Sequence, residues 1–469
     1  GVYLYRRKVN RREKERFKMK KTLAMMSVLL LAGTLLSGCG KKAVEETTAV
    51  PADTQGTTQA ETETTAAAAA ADTGGEKVKI EFWYAWGDKI GETNEELARR
   101  FNESQDKIEV VASYQGSYDD VQSKTQAAFA AGEAPAITMN ETASVGTFAR
   151  SGISRDLTDL VARDGYDLNN FNTGLMTNSY VDGKLYALPY MRSTPLMFVN
   201  TDMLEAAGLD PKGPENWDEL THYAEVMAAQ GKDALCFPIV NEWYFEAFLG
   251  QAGGTIFNKE ENGFNFNNEA GESVLNYWRD LQKTGGVNIL FGSDSSNMSK
   301  AEFASQNCAM LFASVADINY FLDVAKDNGF YCATAFLPGN KTFAIPTGGA
   351  NLIITSNKSE EETNAAWEFM KWVLEDEQTI YASQNTGYVP VTNSAVESDA
   401  MKAFYAEKPQ FKVAVDQLQY ILARPISKQG PEVHKAIKDM VTEFLMDENV
   451  SAKEVLDKTE KQCLEILNE

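Results

Sequence analysis

The sequence predicts an α/β fold with more than one core, and three observations carry that prediction. Between 78 and 139, strand-like and helix-like periods alternate in the order strand, helix, strand, helix, strand. That order gives a parallel sheet with right-handed crossovers. About 390 of the 469 residues follow a leader and a low-complexity stretch, too many for one ordinary core and enough for two. Further along, a Ser or Asn followed three residues later by Glu recurs ahead of apolar-periodic segments, the signature of helix starts.

The elements follow in order. Val78-Lys79-Ile80-Glu81-Phe82 alternates with period 2 and runs into Trp83-Tyr84-Ala85-Trp86-Gly87, so it reads as a strand. Leu97 and Phe101, at i and i+4, mark a helix, and Ile108 to Ala112 a second strand. Tyr118 to Ala131 has helical spacing through Val121, Thr125 and Ala128 and stops at Gly132. Ala136-Ile137-Thr138-Met139 is a third strand. Asn216 with Glu219 opens a helix with Leu220, Tyr223, Ala224 and Met227 inward. Ser359 with Glu362 does the same for Ala366, Phe369, Met370, Val373 and Leu374, and Ser451 with Glu454 opens the last helix. Leu352-Ile353-Ile354 is a buried strand after Gly348-Gly349. No internal sequence repeat is visible.

The first 39 residues read as an export signal. A basic cluster, Lys18, Lys20 and Lys21, precedes an apolar run from Leu23 to Leu36, and Met19 is a better start than Gly1. The run of about 14 apolar residues is short of the roughly 20 that span a bilayer. Leu36-Ser37-Gly38-Cys39 resembles a bacterial lipoprotein signal, which implies that Cys39 is lipidated and that the folded part works outside the membrane while tied to it. Residues 40–77 are rich in Thr, Ala and Glu and have no aromatic residue, so they read as a disordered acidic tether. Ten of the 44 basic and two of the 67 acidic residues lie in 1–39, which leaves a net charge near −31. Nucleic acid, which demands a basic stripe, is excluded as a partner.

Catalytic signals are poor. There are two histidines, His222 and His434, and no nucleophile elbow, zinc-binding helix, phosphate loop or dinucleotide turn. Cys236, Cys308, Cys332 and Cys463 match no zinc spacing, and no metal or cofactor is expected. Their environment admits both a disulfide, such as Cys308 with Cys332, and buried free thiols. Aromatic clusters are the stronger signal: Trp83, Tyr84 and Trp86 at the carboxyl end of the first strand, then Trp243, Tyr244 and Phe245, then Tyr388. Parallel sheets bind ligands at the carboxyl ends of their strands, where Glu141 also falls. For any single aromatic, core packing is the competing explanation.

A set of motifs then follows in order: Phe82-Trp83, Arg100-Phe101-Asn102, Gly116-Ser117-Tyr118, Ala134-Pro135-Ala136-Ile137, Gly183 to Pro189, Ser193-Thr194-Pro195 and Ala207 to Pro211. Asn216 to Leu220, Cys308-Ala309-Met310, Gly348-Gly349-Ala350 and Thr386 to Pro390 complete it. Over roughly 78–445 the chain resembles the family 1 extracellular solute-binding proteins of carbohydrate-type ABC importers, and within them the glycerol-phosphate-binding members. The resemblance implies two α/β lobes, each a mostly parallel sheet with flanking helices, closing over one ligand about a hinge. It places 78–190 and 309–357 in an N-terminal lobe, and 191–308 and 358–469 in a C-terminal lobe. It implies ligand contacts from Tyr118, Glu141, Ser193, Ser314, the Gly349 backbone and Tyr388, with Trp243 near a cleft tryptophan. It also implies a monomer that feeds membrane permease subunits and is not an enzyme. A surface glycoside hydrolase and a peptide-binding or chemoreceptor-feeding protein are the rival readings.

One departure concerns ligand charge. Where relatives hold a phosphate with arginine, His434 stands here, and a neutral imidazole is a poor substitute for a bidentate guanidinium. Arg192, Arg424 or Lys428 would have to supply that charge. A neutral sugar is therefore the favoured ligand over a glycerol phosphate or glycerophosphodiester.

Overall fold

The structure is a computed structural model that describes residues 77–259, 262–422 and 430–468. The signal with Cys39, all but the last residue of the tether, and both Arg424 and Lys428 lie outside the described residues.

Two five-stranded sheets organise the chain. In the first, β1 (Val78–Tyr84), β2 (Ile108–Tyr114) and β3 (Ile137–Glu141) are parallel. After a small hairpin, β4 (Tyr180–Val181) with β5 (Lys184–Leu185), comes β6 (Leu188–Ser193). The second sheet comprises β7 (Pro195–Asn200), β8 (Asp233–Ile239), β9 (Val287–Phe291), β10 (Cys308–Ser314) and β11 (Cys332–Ala335). The chain then returns to the first sheet as β12 (Gly348–Ile354).

The strand orders are β2-β1-β3-β12-β6 and β9-β8-β10-β7-β11. In each sheet a parallel trio is joined by one reversed strand, β12 or β7, and then by a strand that runs with the trio. The reversed strand in each sheet is the one that has just crossed from the other. The two lobes thus repeat one topology with no visible sequence repeat, because topology needs only the order of strand and helix patterns and not particular side chains.

Local signals hold where they are strong. The helix Tyr118–Ala131 has a full capping box from Ser117 and Asp120 and ends on left-handed Gly132, although Ala128 is only partly buried. Ser359 with Glu362 and Ser451 with Glu454 are both complete capping boxes. At Asn216 only half of the box forms, since Glu219 turns its carboxylate to the Glu215 N–H and the Asn216 amide. Cys236, Cys308, Cys332 and Cys463 are buried free thiols, so the disulfide alternative is not realised among the described residues. Among the described residues no helix is long and apolar enough to cross a membrane.

The lobe boundaries differ from the expected ones, beginning with Met191, Arg192 and Ser193, which end β6 of the first sheet although expected in the C-terminal lobe. Residues 309–314 and 332–335, expected in the N-terminal lobe, belong to β10 and β11, which pair with β7 and, for β10, also β8 of the second sheet. The helix Glu360–Val373, expected in the C-terminal lobe, packs on the first sheet, with the Phe369 ring 5.5 Å from Phe82 and 5.1 Å from Phe101. β10 and this helix are both strongly apolar, and apolar periodicity reports that a face is buried without reporting against which sheet.

Candidate functional site

The two sheets approach each other where β6 passes into β7. Ser193 is the last residue of β6 and pairs with Gly348, while Pro195 opens β7 and pairs with Ser314. Between them, the Thr194 carbonyl accepts from Val315 N–H at 3.0 Å, and the Arg192 carbonyl accepts from Val389 N–H at 2.9 Å. The residues following β10 and those around Tyr388 are thereby fixed to the same crossing.

Most of the expected site residues meet around this point. A methyl group placed on Gly348 would lie 3.0 Å from Ser193 Oγ and 3.1 Å from Trp243 Cζ2, so the indole from the second lobe lies over the first residue of β12. Glu141 ends β3 opposite Ala350. Tyr118 opens its helix close to Tyr388 and Glu141, both of which act on its phenol. Glu141 and Ser314 occupy equivalent places, each ending the third strand of a parallel trio and capping the short 3₁₀ turn that follows. Glu141 accepts from Ala143 N–H at 2.7 Å and from Thr142 Oγ1 at 3.1 Å, and Ser314 Oγ accepts from Ala316 N–H at 3.2 Å.

Three buried polar atoms at the crossing make no well-formed hydrogen bond among the described residues, Tyr118 Oη, Trp243 Nε1 and Thr194 Oγ1, although Tyr388 and Trp86 lie near enough to Tyr118 Oη to act on it. Such groups are costly unless something satisfies them. Burial first, then the neighbouring Tyr388, pushes the Tyr118 phenol far above its ordinary range. Burial pushes Tyr388 up to about 12, against a smaller opposing effect of Tyr118. Both phenols therefore stay protonated at neutral pH and can donate. The site offers hydroxyl and indole donors, a carboxylate acceptor and aromatic faces, which suits a polyhydroxylated solute.

Arg192 does not join them as a ligand anchor. Its side chain is fully buried and its five N–H groups are all engaged. Nε donates to the Gly348 carbonyl, Nη1 to the Leu175 carbonyl and Asn351 Oδ1, and Nη2 to Asn178 Oδ1 and Thr347 Oγ1. The guanidinium ties β6 to the entry of β12. Gly349, expected to face the ligand, has a tighter local reason to be glycine. Its φ is +83°, and a Cβ would lie 2.2 Å from the Met191 carbonyl oxygen. His434 lies on the helix Gly430–Met446 with Nδ1 3.2 Å from Glu242 Oε1, which brings it next to Trp243.

The other aromatics divide. Tyr84, Tyr244 and Phe245 are core residues, Trp83 donates outward to Glu81 at 2.9 Å, and only Trp86 of the first cluster is exposed. Glu242 and Glu246, both buried beside Trp243 on the turn and helix after β8, were missed by the sequence reading. The rule that found Glu141, a carboxylate just past a strand's carboxyl end, would have found Glu242. A groove on the flank of the first lobe, lined by Asp164, Tyr166, Phe171, Trp372, Glu375 and Asn393, shares none of these residues.

The model of a bacterial extracellular solute-binding protein family matches residues 96–413. The sn-glycerol-3-phosphate-binding periplasmic protein of Escherichia coli K12 is 27% identical over 355 residues, covering 72% of this chain and 80% of that protein. The counterpart in Salmonella typhimurium gives the same figures. Among solved structures, one from Mycobacterium tuberculosis in complex with glycerophosphocholine is 26% identical with a TM-score of 0.73, covering 84% of this chain and 99% of that one. The cyclic α-maltosyl-1,6-maltose binding protein of Arthrobacter globiformis shares the fold at 24% identity and a TM-score of 0.73, over 83% and 99% of the two chains.

Proposed function

The chain belongs to the bacterial extracellular solute-binding proteins, a family of binding proteins and not of enzymes, and on that premise we propose that it captures a polyhydroxylated solute for an ABC importer. The observation that carries the ligand class is the pair of unsatisfied buried donors, Tyr118 Oη and Trp243 Nε1, beside the Glu141 carboxylate at the crossing between lobes. A solute held there bridges residues of both lobes and favours their closed arrangement by its differential affinity for it. The closed form then docks on permease subunits, with the chain acting as a monomer.

Within that class a neutral saccharide is the preferred ligand. Arg192 is committed to backbone and side-chain acceptors and cannot anchor a phosphate, and the polar group that β3 brings to the crossing is the Glu141 carboxylate. The glycerol-phosphate relatives favour the second reading, a glycerol phosphate or glycerophosphodiester. A thermal-shift panel of one- to three-unit sugars, glycerol 3-phosphate and glycerophosphocholine separates the two. A ligand at 100 times its dissociation constant stabilises by about 2.7 kcal/mol. A shift with glycerol 3-phosphate and none with any sugar would reverse the preference.

Glu141 tests the site itself. Glu141→Gln keeps an oxygen for the Ala143 N–H and so preserves the cap, while losing the charged acceptor. Calorimetry should show binding weaker by about 1–3 kcal/mol at an unchanged melting temperature. Unaltered affinity would move the site elsewhere.

We further propose that the protein is held at the cell membrane through Cys39, the acylation site that the signal offers. In the Cys39→Ala variant the membrane fraction should lose the protein or retain it unprocessed. Normal labelling with a radioactive fatty acid in that variant would rule the anchor out.

A further inference from the structure

We propose that Trp86 is a second ligand platform, stacking on a sugar ring at the rim of the cleft while Trp243 serves the ring held deeper. This rests on the saccharide reading above and adds to it a preference for ligands longer than one ring.

The first observation is backbone strain. Trp86 has φ of +69° and Asp88 of +47°, on either side of Gly87. A bulky residue in the left-handed region is a genuine outlier, and such residues persist where surrounding structure over-determines them, often at ligand clamps. Here Trp86 N–H donates to the Gly116 carbonyl at 2.8 Å. Its ring stands edge-on to Tyr118, with centroids 5.3 Å apart and planes at 81°. Despite this fixing, 39% of Trp86 remains exposed, and a Cβ on Gly87 would meet no atom within 4 Å. The chain thus holds an indole fixed through its backbone beside open space, with its ring packed against the site residue Tyr118.

The second observation is the repeated topology. Trp86 lies in the turn between β1 and the helix Asp88–Ser104, and Trp243 opens the helix that follows β8. β1 and β8 are the same strand of the two equivalent sheets, each the middle member of its parallel trio. Each lobe therefore sets a tryptophan in the connection just past its central strand, as each sets one polar cap, Glu141 or Ser314, at the end of the strand beside it. The depths differ. Trp243 lies on Gly348 and Ser193 at the crossing itself, whereas Trp86 is more exposed. A sugar ring has an apolar C–H face that packs on an aromatic ring, and rigid aromatics supply large contact area at little entropic cost.

The test is calorimetry with glucose, maltose and maltotriose on the wild type, Trp86→Gly and Trp86→Phe, together with melting curves. Glycine relieves the left-handed backbone, so Trp86→Gly should melt no lower than the wild type. It should bind the longest ligand at least tenfold more weakly and glucose less than twofold more weakly, with Trp86→Phe in between. Equal affinity of Trp86→Gly and wild type for every bound sugar would overturn the platform alone. So would equal losses for glucose and maltotriose, or a large fall in melting temperature. A wild type that binds no sugar would overturn the saccharide reading and this inference together.

Discussion

Arg192→Leu is expected to cost about 3–5 kcal/mol of folding stability, because it removes the donor from several buried neutral acceptors at once, each at about 1–3 kcal/mol before relaxation. The residue is fully buried and meets five acceptors drawn from residues 175, 178, 347, 348 and 351. Leucine fills part of the volume but leaves three side-chain and two backbone oxygens without their donor. Each orphaned acceptor carries its own desolvation cost of about 1–3 kcal/mol, moderated as the site relaxes. Lysine should rescue little, because one ammonium cannot reproduce a planar fork of five donors. Chemical denaturation of Arg192→Leu and Arg192→Lys checks this. A loss under 1 kcal/mol in both would mean that the guanidinium does not hold β6 to β12. Sugar binding in whatever fraction stays folded should be nearly normal, which separates a structural arginine from an anchoring one.

Tyr118→Phe and Trp243→Ala are expected to show the reverse, with binding lost and the unliganded fold spared or affected only through packing. Tyr118 Oη makes no well-formed hydrogen bond among the described residues. Its removal therefore should not lower the melting temperature of the free protein, and relief of an unsatisfied hydroxyl could raise it slightly. In the complex the same deletion leaves a ligand oxygen unpaired, at about 1–3 kcal/mol. Trp243→Ala removes both an unsatisfied donor and an aromatic face over Gly348, and a loss of about 2–4 kcal/mol in binding is expected, in the range of anchoring aromatics. Calorimetry and melting of each variant with and without ligand give the two quantities. A Tyr118→Phe variant that melts well below the wild type yet binds normally would assign the tyrosine to the core.

The hydrogen-bonding geometry also explains why Arg192 was misread from the sequence. Arg192 was one of three cations that could have supplied a charge to the ligand, and its neighbour Ser193 does sit at the crossing. In a strand, however, successive side chains point to opposite faces, and Arg192 turns inward while Ser193 lies beside Trp243. Glu141 and Ser314 are different cases. Glu141 follows from the rule that ligands meet the carboxyl ends of parallel strands, whereas Ser314 came from the family resemblance alone, and the structure shows that each ends a strand and caps a short turn.

What the sequence determined by itself was local and periodic. The strands at 78, 108 and 137, the helix capped by Ser117, the two boxes at Ser359 and Ser451, and the ordered run of short motifs all depend on neighbours within a few residues. The tertiary structure alone decided which sheet received β10 and the helix Glu360–Val373, and that the two lobes share one topology. It also decided that Arg192 is a tie between strands and that Trp86 is held in a strained turn beside Tyr118. Each of those facts rests on contacts between distant parts of the chain; Arg192 finds its partners between 14 and 159 residues away. Periodicity tells a residue whether to be buried, but the direction of a hydrogen bond is set by whichever backbone folding brings within about 3 Å.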